Sequence, residues 1–202
     1  INILRNEMFL DAENELKKNM DESIFFLEAP TGSGKSNTAM NLSFQFVKSN
    51  PQIRKIFYIY PFNTLVEQNM NSLEKVFGSN EEIMAQIAVV NSLVAIKEKK
   101  DENDWEENKY EKILLDRQFL NYPIVLSTHV MLFRTLFGKR KEDLFGFHQL
   151  CHSVIVIDEI QSYKNSLWSE IIIFFKEFSK LLDIKIIIMS ATLPNLDLLT
   201  NS

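Results

Sequence analysis

The sequence predicts an α/β domain, a mostly parallel sheet with helices on both faces, and three features carry that prediction. Strand-length apolar runs alternate with segments of helical periodicity, the pattern left by βαβ crossovers. Ser153–Asp158 (SVIVID) is almost wholly β-branched and apolar, as expected of a strand buried on both faces. The first strand-like run leads directly into a small-residue loop, Ala29–Ser36 (APTGSGKS), at the head of a predicted helix. That order places ligands at the carboxyl ends of the strands.

The elements follow in order. Asn2–Lys18 carries Ile3, Leu4, Met8, Phe9, Ala12 and Leu16 near helical spacing, which predicts an amphipathic helix ending near Asn19. Ser23–Ala29 reads as a buried strand. Lys35–Ser49 reads as a helix with Ala39, Leu42, Phe46 and Val47 as its core stripe, broken by Asn50-Pro51. Lys55–Tyr60 is a strand closed by Pro61. Asn63–Phe77 is a helix with Leu65, Val66, Met70, Leu73, Val76 and Phe77 facing inward and Gly78 as its stop. Ile87–Val90 and Tyr122–Ser127 are further strands, and Val130–Phe137 is a helix ending at Gly138. Phe145–Leu150 is a short helical or irregular connector, Ser166–Leu182 an apolar-rich helix, and Ile184–Ser190 the last strand. The stretch between Ser92 and Leu120 fits no strand or helix of the sheet, and Lys97–Lys112 within it is dense in both charges, a solvated insertion. We read 1–22 as a helical segment preceding the main domain and 23–202 as that domain, with the charged insertion near 92–120.

Bulk properties exclude several classes. The 202 residues suit one domain with a full core, and 46% hydrophobic with 24% charged content is ordinary for a soluble globular protein. No apolar run approaches the roughly 20 residues of a membrane span. The single cysteine, Cys151, rules out an internal disulfide and a cysteine zinc cluster and fits a reducing, cytoplasmic setting. Read as strand neighbours, Cys151 and His152 point to opposite faces, so Cys151 is expected to pack rather than react. The net charge of −5 argues against a large basic face without excluding a strand-binding groove built on loops and backbone donors. The N-terminus, Ile1-Asn2-Ile3, lacks an initiator Met and is expected to continue a longer polypeptide.

The loop Ala29–Ser36 has the chemistry of a phosphate cradle. Gly32 and Gly34 permit a tight turn, Lys35 offers a cation to the β- and γ-phosphates, and the Ser36 hydroxyl is a Mg²⁺ ligand. Ala29, Pro30, Thr31, Gly32, Ser33, Gly34, Lys35 and Ser36 are therefore the candidate nucleotide-binding residues. The strict pattern has glycine where this chain has Ala29. A second motif closes the SVIVI strand: Asp158 arrives at its carboxyl end, where it can hold Mg²⁺ together with Ser36, and Glu159 can polarise an attacking water. Lys35, Asp158 and Glu159 are the catalytic candidates. A third element, Ser190-Ala191-Thr192, ends the last strand. The hydroxyls of Ser190 and Thr192 are expected to bond the Asp158 and Glu159 carboxylates and to couple nucleotide state to a second surface.

These residues carry a resemblance. Ala29–Ser36, Asp158-Glu-Ile-Gln161 and Ser190-Ala-Thr192 are similar to motifs I, II and III of superfamily 2 helicases, which tolerate alanine at the position of Ala29. Pro61-Phe-Asn-Thr-Leu-Val-Glu-Gln68 resembles motif Ia, and Val125-Leu-Ser-Thr-His129 resembles a later strand-contacting motif. The matches span Ala29 to Pro194 and imply the first RecA-like domain of a P-loop NTPase. Within the superfamily, Asp158-Glu-Ile-Gln-Ser-Tyr163 and the opening Asn2-Ile-Leu-Arg5 most resemble the CRISPR-associated helicase of type I systems; DEAD-box RNA helicases, with Asp-Glu-Ala-Asp in motif II, fit less well. The resemblance implies ATP and Mg²⁺ as cofactors and single-stranded DNA as substrate. It also implies an RNA-guided surveillance complex, a second RecA-like domain and a His-Asp nuclease as partners.

None of His129, His148 and His152 precedes an aspartate, so no His-Asp signature lies in these residues. Without the arginine finger of a second domain, the isolated chain is expected to be a weak ATPase, since that residue contributes roughly 10³–10⁵ in rate. Candidate nucleic-acid contacts are Pro61, Asn63, Thr64, Ser127, Thr128 and His129, whose hydroxyl and backbone donors at strand ends suit phosphates. Asn63 and Thr64 read equally as a helix cap, and His129 as a turn residue. Lys139–Lys141 is a solvated basic turn or a phosphate contact. The resemblance places Arg5 near the adenine side. Two other readings stay open: another superfamily 2 motor, such as an RNA helicase or restriction-type translocase, and a nucleotide-gated binding module without turnover.

Overall fold

The computed structural model describes residues 2–90, 115–116, 119–140, 143, 146–162 and 168–191. Most of the charged insertion near 92–120, together with Lys141, Tyr163, Thr192 and Pro194, lies outside the described residues. The described elements are helix α1 (Asn2–Lys18), strand β1 (Ile24–Glu28), α2 (Lys35–Ser49), β2 (Lys55–Tyr60), α3 (Asn63–Phe77), α4 (Glu81–Met84), β3 (Ile87–Val90), β4 (Ile124–Thr128), α5 (His129–Phe137), β5 (Ser153–Ile157), α6 (Trp168–Leu182) and β6 (Lys185–Ser190). Short 3₁₀ turns cover His148–Leu150 and Ile160–Ser162. The architecture is the expected α/β class with parallel strands, and the chain divides into two compact units.

The first unit comprises Ile1–Ile56 and His152–Ser202. Its sheet runs β1-β6-β5, every pair parallel. Register brings Ile24 opposite Ile186 and Glu28 opposite Ser190, while Val154 faces Lys185 and Ile157 faces Ile188. All five residues of β5 are buried, as its nearly continuous β-branched sequence leads one to expect. Helix α2 packs on β1, β5 and β6 through Ala39, Leu42 and Phe46, and α6 packs on β1 and β6. Phe46 is fully enclosed, its ring 5.2 Å from that of Phe25. Lys185 approaches the same ring at 5.9 Å and donates to the carbonyls of Met20 and Glu22, both at 2.7 Å, tying the α1–β1 connection to β6.

Three expectations for this unit and its boundary at Cys151 need correction. β1 is not a buried strand: it lies at the edge of the ladder with one β neighbour, and Phe26 is 43% exposed. In α1 only Leu16 is buried and Ile3 is 75% exposed, so the helix packs on α2 without burying a full apolar stripe. Cys151 and His152 do not stand on a strand. They form the turn before β5, with His152 at φ +54°, and the His152 ring pairs with Asp183 at 3.0 Å. Cys151 is only half-buried.

The second unit, Phe57–Cys151, carries β4 between β2 and β3, with β3 and β4 parallel and Val90 opposite Ser127. Helices α3 and α5 pack on β4, and α4 packs on α3. The sequence reading missed α4, a single turn whose N-terminal Ile83 N–H is capped by the Asn80 side chain at 3.1 Å. Val66 and Leu73 are the buried positions of α3; Val76, expected inside, is 63% exposed near the helix end.

Truncation of Phe46 tests the core of the first unit. Phe46→Ala is expected to cost about 3–5 kcal/mol in urea unfolding, the usual range for a fully buried aromatic. A loss below about 1 kcal/mol would show that Phe46 is not the packing centre of α2.

Candidate nucleotide site

The parallel register decides which loops meet. Glu28, Ile157 and Ser190 end their strands at the same edge of the β1-β6-β5 ladder, so the residues that follow them converge there. The Ala29 N–H donates to the Ser190 carbonyl at 3.2 Å, carrying the ladder one residue into the loop. Sequence-predicted Ala29–Ser36, Asp158, Glu159 and Ser190 are thereby gathered within one unit, while Thr192 lies outside the described residues.

The loop turns as its glycines predict. Gly32 has φ +77° and Gly34 φ +96°, a left-handed conformation that costs an L side chain roughly 1–2 kcal/mol. Gly34 also begins α2 with no side-chain cap, so the N–H groups of the first helical turn are not satisfied by a side chain of the cap. Ser33 donates its N–H to the Pro30 carbonyl at 3.2 Å, and its Oγ is buried with no hydrogen-bond partner among the described residues. A buried hydroxyl of this kind is costly unless a ligand completes it. An anion at the N-terminus of α2 fits both the hydroxyl and the uncapped N–H groups.

Lys35 is buried and spans two acceptors. Its Nζ donates to the Ala29 carbonyl at 2.5 Å and lies 3.9 Å from Glu159 Oε1. Glu159 adopts φ +47°, unusual for a residue with a side chain, and its own N–H donates to Asp158 Oδ1 at 2.9 Å. Asp158 is buried, and burial chiefly, with the adjacent Glu159 charge second, pushes its carboxyl up to about 6. The Glu159 N–H and Lys35 oppose that shift without cancelling it.

The coupling expected of Ser190 takes a different route. Its Oγ donates to Gln161 Oε1 at 2.6 Å, and Gln161 Nε2 donates to Glu159 Oε2, so the hydroxyl reaches the carboxylate through an amide. The 3₁₀ turn Ile160–Ser162, closed by Ser162 N–H to the Glu159 carbonyl at 2.8 Å, swings Gln161 back to lie between the two. Gln161 stands in the Asp158–Gln161 motif, and the sequence alone assigns it no role. The available signal was chemical: a primary amide has a donor and an acceptor end and can bridge a hydroxyl and a carboxylate.

Among the described residues no group of three or more His, Cys, Asp or Glu side chains is placed to hold a metal ion. Asp158, with the exposed Ser36 hydroxyl at the first turn of α2, is a sparse donor set. It fits Mg²⁺ better than a metal that needs an all-protein cage, because Mg²⁺ retains water and is shared with substrate phosphates.

The second unit holds the candidate nucleic-acid residues. Pro61, Ser127 and Thr128 are buried, and Ser127 Oγ donates to the Val90 carbonyl, so its hydroxyl hydrogen serves the β3–β4 pair. Thr64 is exposed and Asn63 half-buried at the start of α3. The His129 ring bonds the backbone of Tyr60 and Pro61; burial lowers its pKa, so it stays neutral at pH 7. His129 thus joins the turn after β2 to the start of α5. Phe62, which sequence reasoning passed over, is 58% exposed at the N-cap of α3. The basic turn is also ordered from within: buried Asp143 accepts from Arg134 Nε at 2.6 Å and from the Arg140 N–H at 3.3 Å.

The raised Asp158 carboxyl gives a signed pH dependence. Between about pH 4 and 6 the folded state holds a proton that the unfolded state has released, so without metal stability falls as pH rises through that window. Two pH units correspond to about 3 kcal/mol. Asp158→Asn in EDTA is therefore expected to exceed the wild type in stability near pH 7.5 and to lose that advantage near pH 4. Urea unfolding of both at the two pH values reads the difference; equal gaps would contradict the buried charge.

A family model described as DEAD/DEAH box helicase matches residues 12–199. No curated protein matches significantly. Among solved structures, the DUF1998 helicase MrfA bound to DNA and AMPPNP aligns with a TM-score of 0.61 at 20% identity, over 96% of this chain and 25% of that one. T. fusca Cas3-ADP aligns with a TM-score of 0.62 at 19% identity, over 88% of this chain and 19% of that one. The chain thus spans about a quarter or less of the length of these structures, and at such identity they speak to the fold. The fold is the expected RecA-like one, and with nearly the whole chain matched, this chain belongs to the DEAD/DEAH box helicase family.

Proposed function

We propose that this domain is the nucleotide-binding half of an ATP-driven motor that moves on single-stranded nucleic acid. The observation that carries the reading is the continuous path from Lys35 through Glu159 and Gln161 to Ser190, which links the phosphate loop to the third motif. In this reading ATP supplies the phosphoanhydride, with Mg²⁺ screening its phosphate charge. The residues Ala29–Ser36 hold the phosphates, Ser33 through its unpartnered hydroxyl and Lys35 through its ammonium. Ser36 and Asp158 would hold Mg²⁺. Glu159 orients water and accepts its proton, and Gln161 keeps that carboxylate aimed while reporting its position to Ser190. Thr192 joins the same coupling role by its place in the motif. A second RecA-like domain completes the site with an arginine.

We extend the reading to CRISPR interference on two supports. Asp158–Tyr163 reads as the motif II variant of CRISPR-associated helicases, and Cas3 is among the structural neighbours. On this view the substrate is single-stranded DNA, the recruiting partner an RNA-guided surveillance complex, a His-Asp nuclease accompanies the motor, and the setting is the cytoplasm. No helix among the described residues is long and apolar enough to cross a membrane. The second reading is a DNA helicase of another superfamily 2 branch, favoured by the more extensive alignment with MrfA.

The strand-binding face in this reading is the start of α3 and of α5. Asn63 and Thr64 meet phosphates, and His129 with Pro61, Ser127 and Thr128 holds the two turns in place rather than supplying charge. The exposed Phe62 ring offers a surface on which an unpaired base can stack.

Two experiments on the intact protein test this. With single-stranded DNA present, Lys35→Ala is expected to lose ATP binding, whereas Glu159→Gln keeps binding and loses most turnover, a hundredfold or more by the ordinary range for acid–base residues. Unchanged turnover in Glu159→Gln would remove it from the chemistry. Phe62→Ala is expected to weaken single-stranded DNA binding by about 1–3 kcal/mol, with Phe62→Tyr near wild type; equal affinities for wild type and alanine would rule out stacking. Stimulation by RNA and not DNA would move the assignment away from the CRISPR branch.

A further inference from the structure

The phosphate loop is gripped from outside by a residue that belongs to none of its motifs. Arg5, on the first turn and a half of α1, donates from Nε and Nη2 to the carbonyl oxygen of Gly32, at 3.1 and 2.7 Å. Its Cγ lies 4.0 Å from the position a Cβ would take on Gly34, so the side chain runs along both glycines of the turn. The rest of the N-terminal half of α1 makes little apolar contact: Ile3 and Leu4 are exposed, and Leu16 is the one buried residue of the helix. Farther along, Asn41 Nδ2 of α2 donates to Glu13 at 3.2 Å. Arg5 is thus a directed polar tie between an otherwise exposed helical turn and the loop.

We infer that Arg5 is a positioning residue for the phosphate loop, setting nucleotide affinity without regard to the base. The inference rests on the reading of Ala29–Ser36 as the nucleotide cradle. A loop whose N–H groups face an anion turns carbonyls outward, and each of these needs a donor or water. Glycines at Gly32 and Gly34 make the turn possible and also make the free loop costly to order. Fixing the Gly32 carbonyl from outside settles part of that ordering before a ligand arrives, which strengthens binding and leaves the chemical step alone. The fork matters as much as the charge. A guanidinium delivers two N–H groups to one oxygen in fixed geometry, whereas an ammonium on a flexible stem holds it less well. Nε and Nη2 are both committed to the Gly32 carbonyl, so these two donors serve the loop whichever base the nucleotide carries.

The test uses the intact protein with Mg²⁺ and measures Kd for ATP and for GTP by titration calorimetry, alongside steady-state ATPase in saturating single-stranded DNA. Arg5→Ala is expected to weaken both nucleotides by the same factor, about three- to tenfold, the range of one or two exposed hydrogen bonds. KM for ATP should rise in step while kcat stays within about twofold. Arg5→Lys should fall between wild type and alanine. A loss confined to ATP would show that Arg5 reads the base and would overturn the inference. So would unchanged affinities, or a fall in kcat at constant KM. Lys35→Ala serves as the control beneath it: if that variant binds ATP like the wild type, the cradle assignment itself fails, and the inference with it.

Discussion

In the ladder β1-β6-β5, Glu28 stands opposite Ser190 and Ile157 opposite Ile188, and that register brings the candidate nucleotide-site segments to one edge. Parallel pairing makes three chain segments, far apart in sequence, leave the sheet in the same direction. One edge therefore receives the glycine loop, the acidic pair and the serine of the third motif. A one-residue slip of β6 would turn Ser190 to the other face of the sheet and break its bond to Gln161. Burial holds the register at the ends of the runs: Val154–Ile157 and Ile186–Met189 are all buried, so a slip would push an apolar residue out of the core at one end and draw a polar neighbour in at the other.

Burial also sets the electrostatics. The same packing that fixes β5 delivers Asp158 into a poorly solvated position beside a second carboxylate, which is why its carboxyl is raised. The arrangement is unfavourable in isolation, and the cation proposed for this site would relieve it. Glu159 adds backbone strain, held by Asp158 on one side and Gln161 on the other. Two cationic side chains hold the loop in complementary ways. Lys35 bonds the Ala29 carbonyl from within, and Arg5 bonds the Gly32 carbonyl from the surface.

The second unit uses its polar residues differently. Ser127 supports the β3–β4 pair, Asp143 organises the basic turn, and neutral His129 ties backbone to backbone. Exposed chemistry at the start of α3 falls to Thr64, partly to Asn63, and to the ring of Phe62. Hydroxyl, amide and aromatic groups rather than a field of positive charge agree with a chain whose net charge is −5.

Much of this was legible in the amino-acid order. Strand and helix positions followed from periodicity, with β2, α3 and β3 found at the predicted limits, because strongly patterned segments declare their faces locally. The glycines at 32 and 34 were readable as turn residues and both adopt positive φ, while the lysine after them and the acids after β5 stand out as candidates because each proposed role requires a particular residue type. What periodicity does not hold is neighbourhood. The sequence by itself determined the parallel α/β class and the residue types at its strand ends. Only the tertiary structure decided that β1 lies at an edge, that Gln161 stands between Glu159 and Ser190, that Ser127 faces inward and that Arg5 reaches Gly32. Those are long-range contacts made by side chains and strand order, and no local pattern encodes the distance between residues that meet only after the chain has folded.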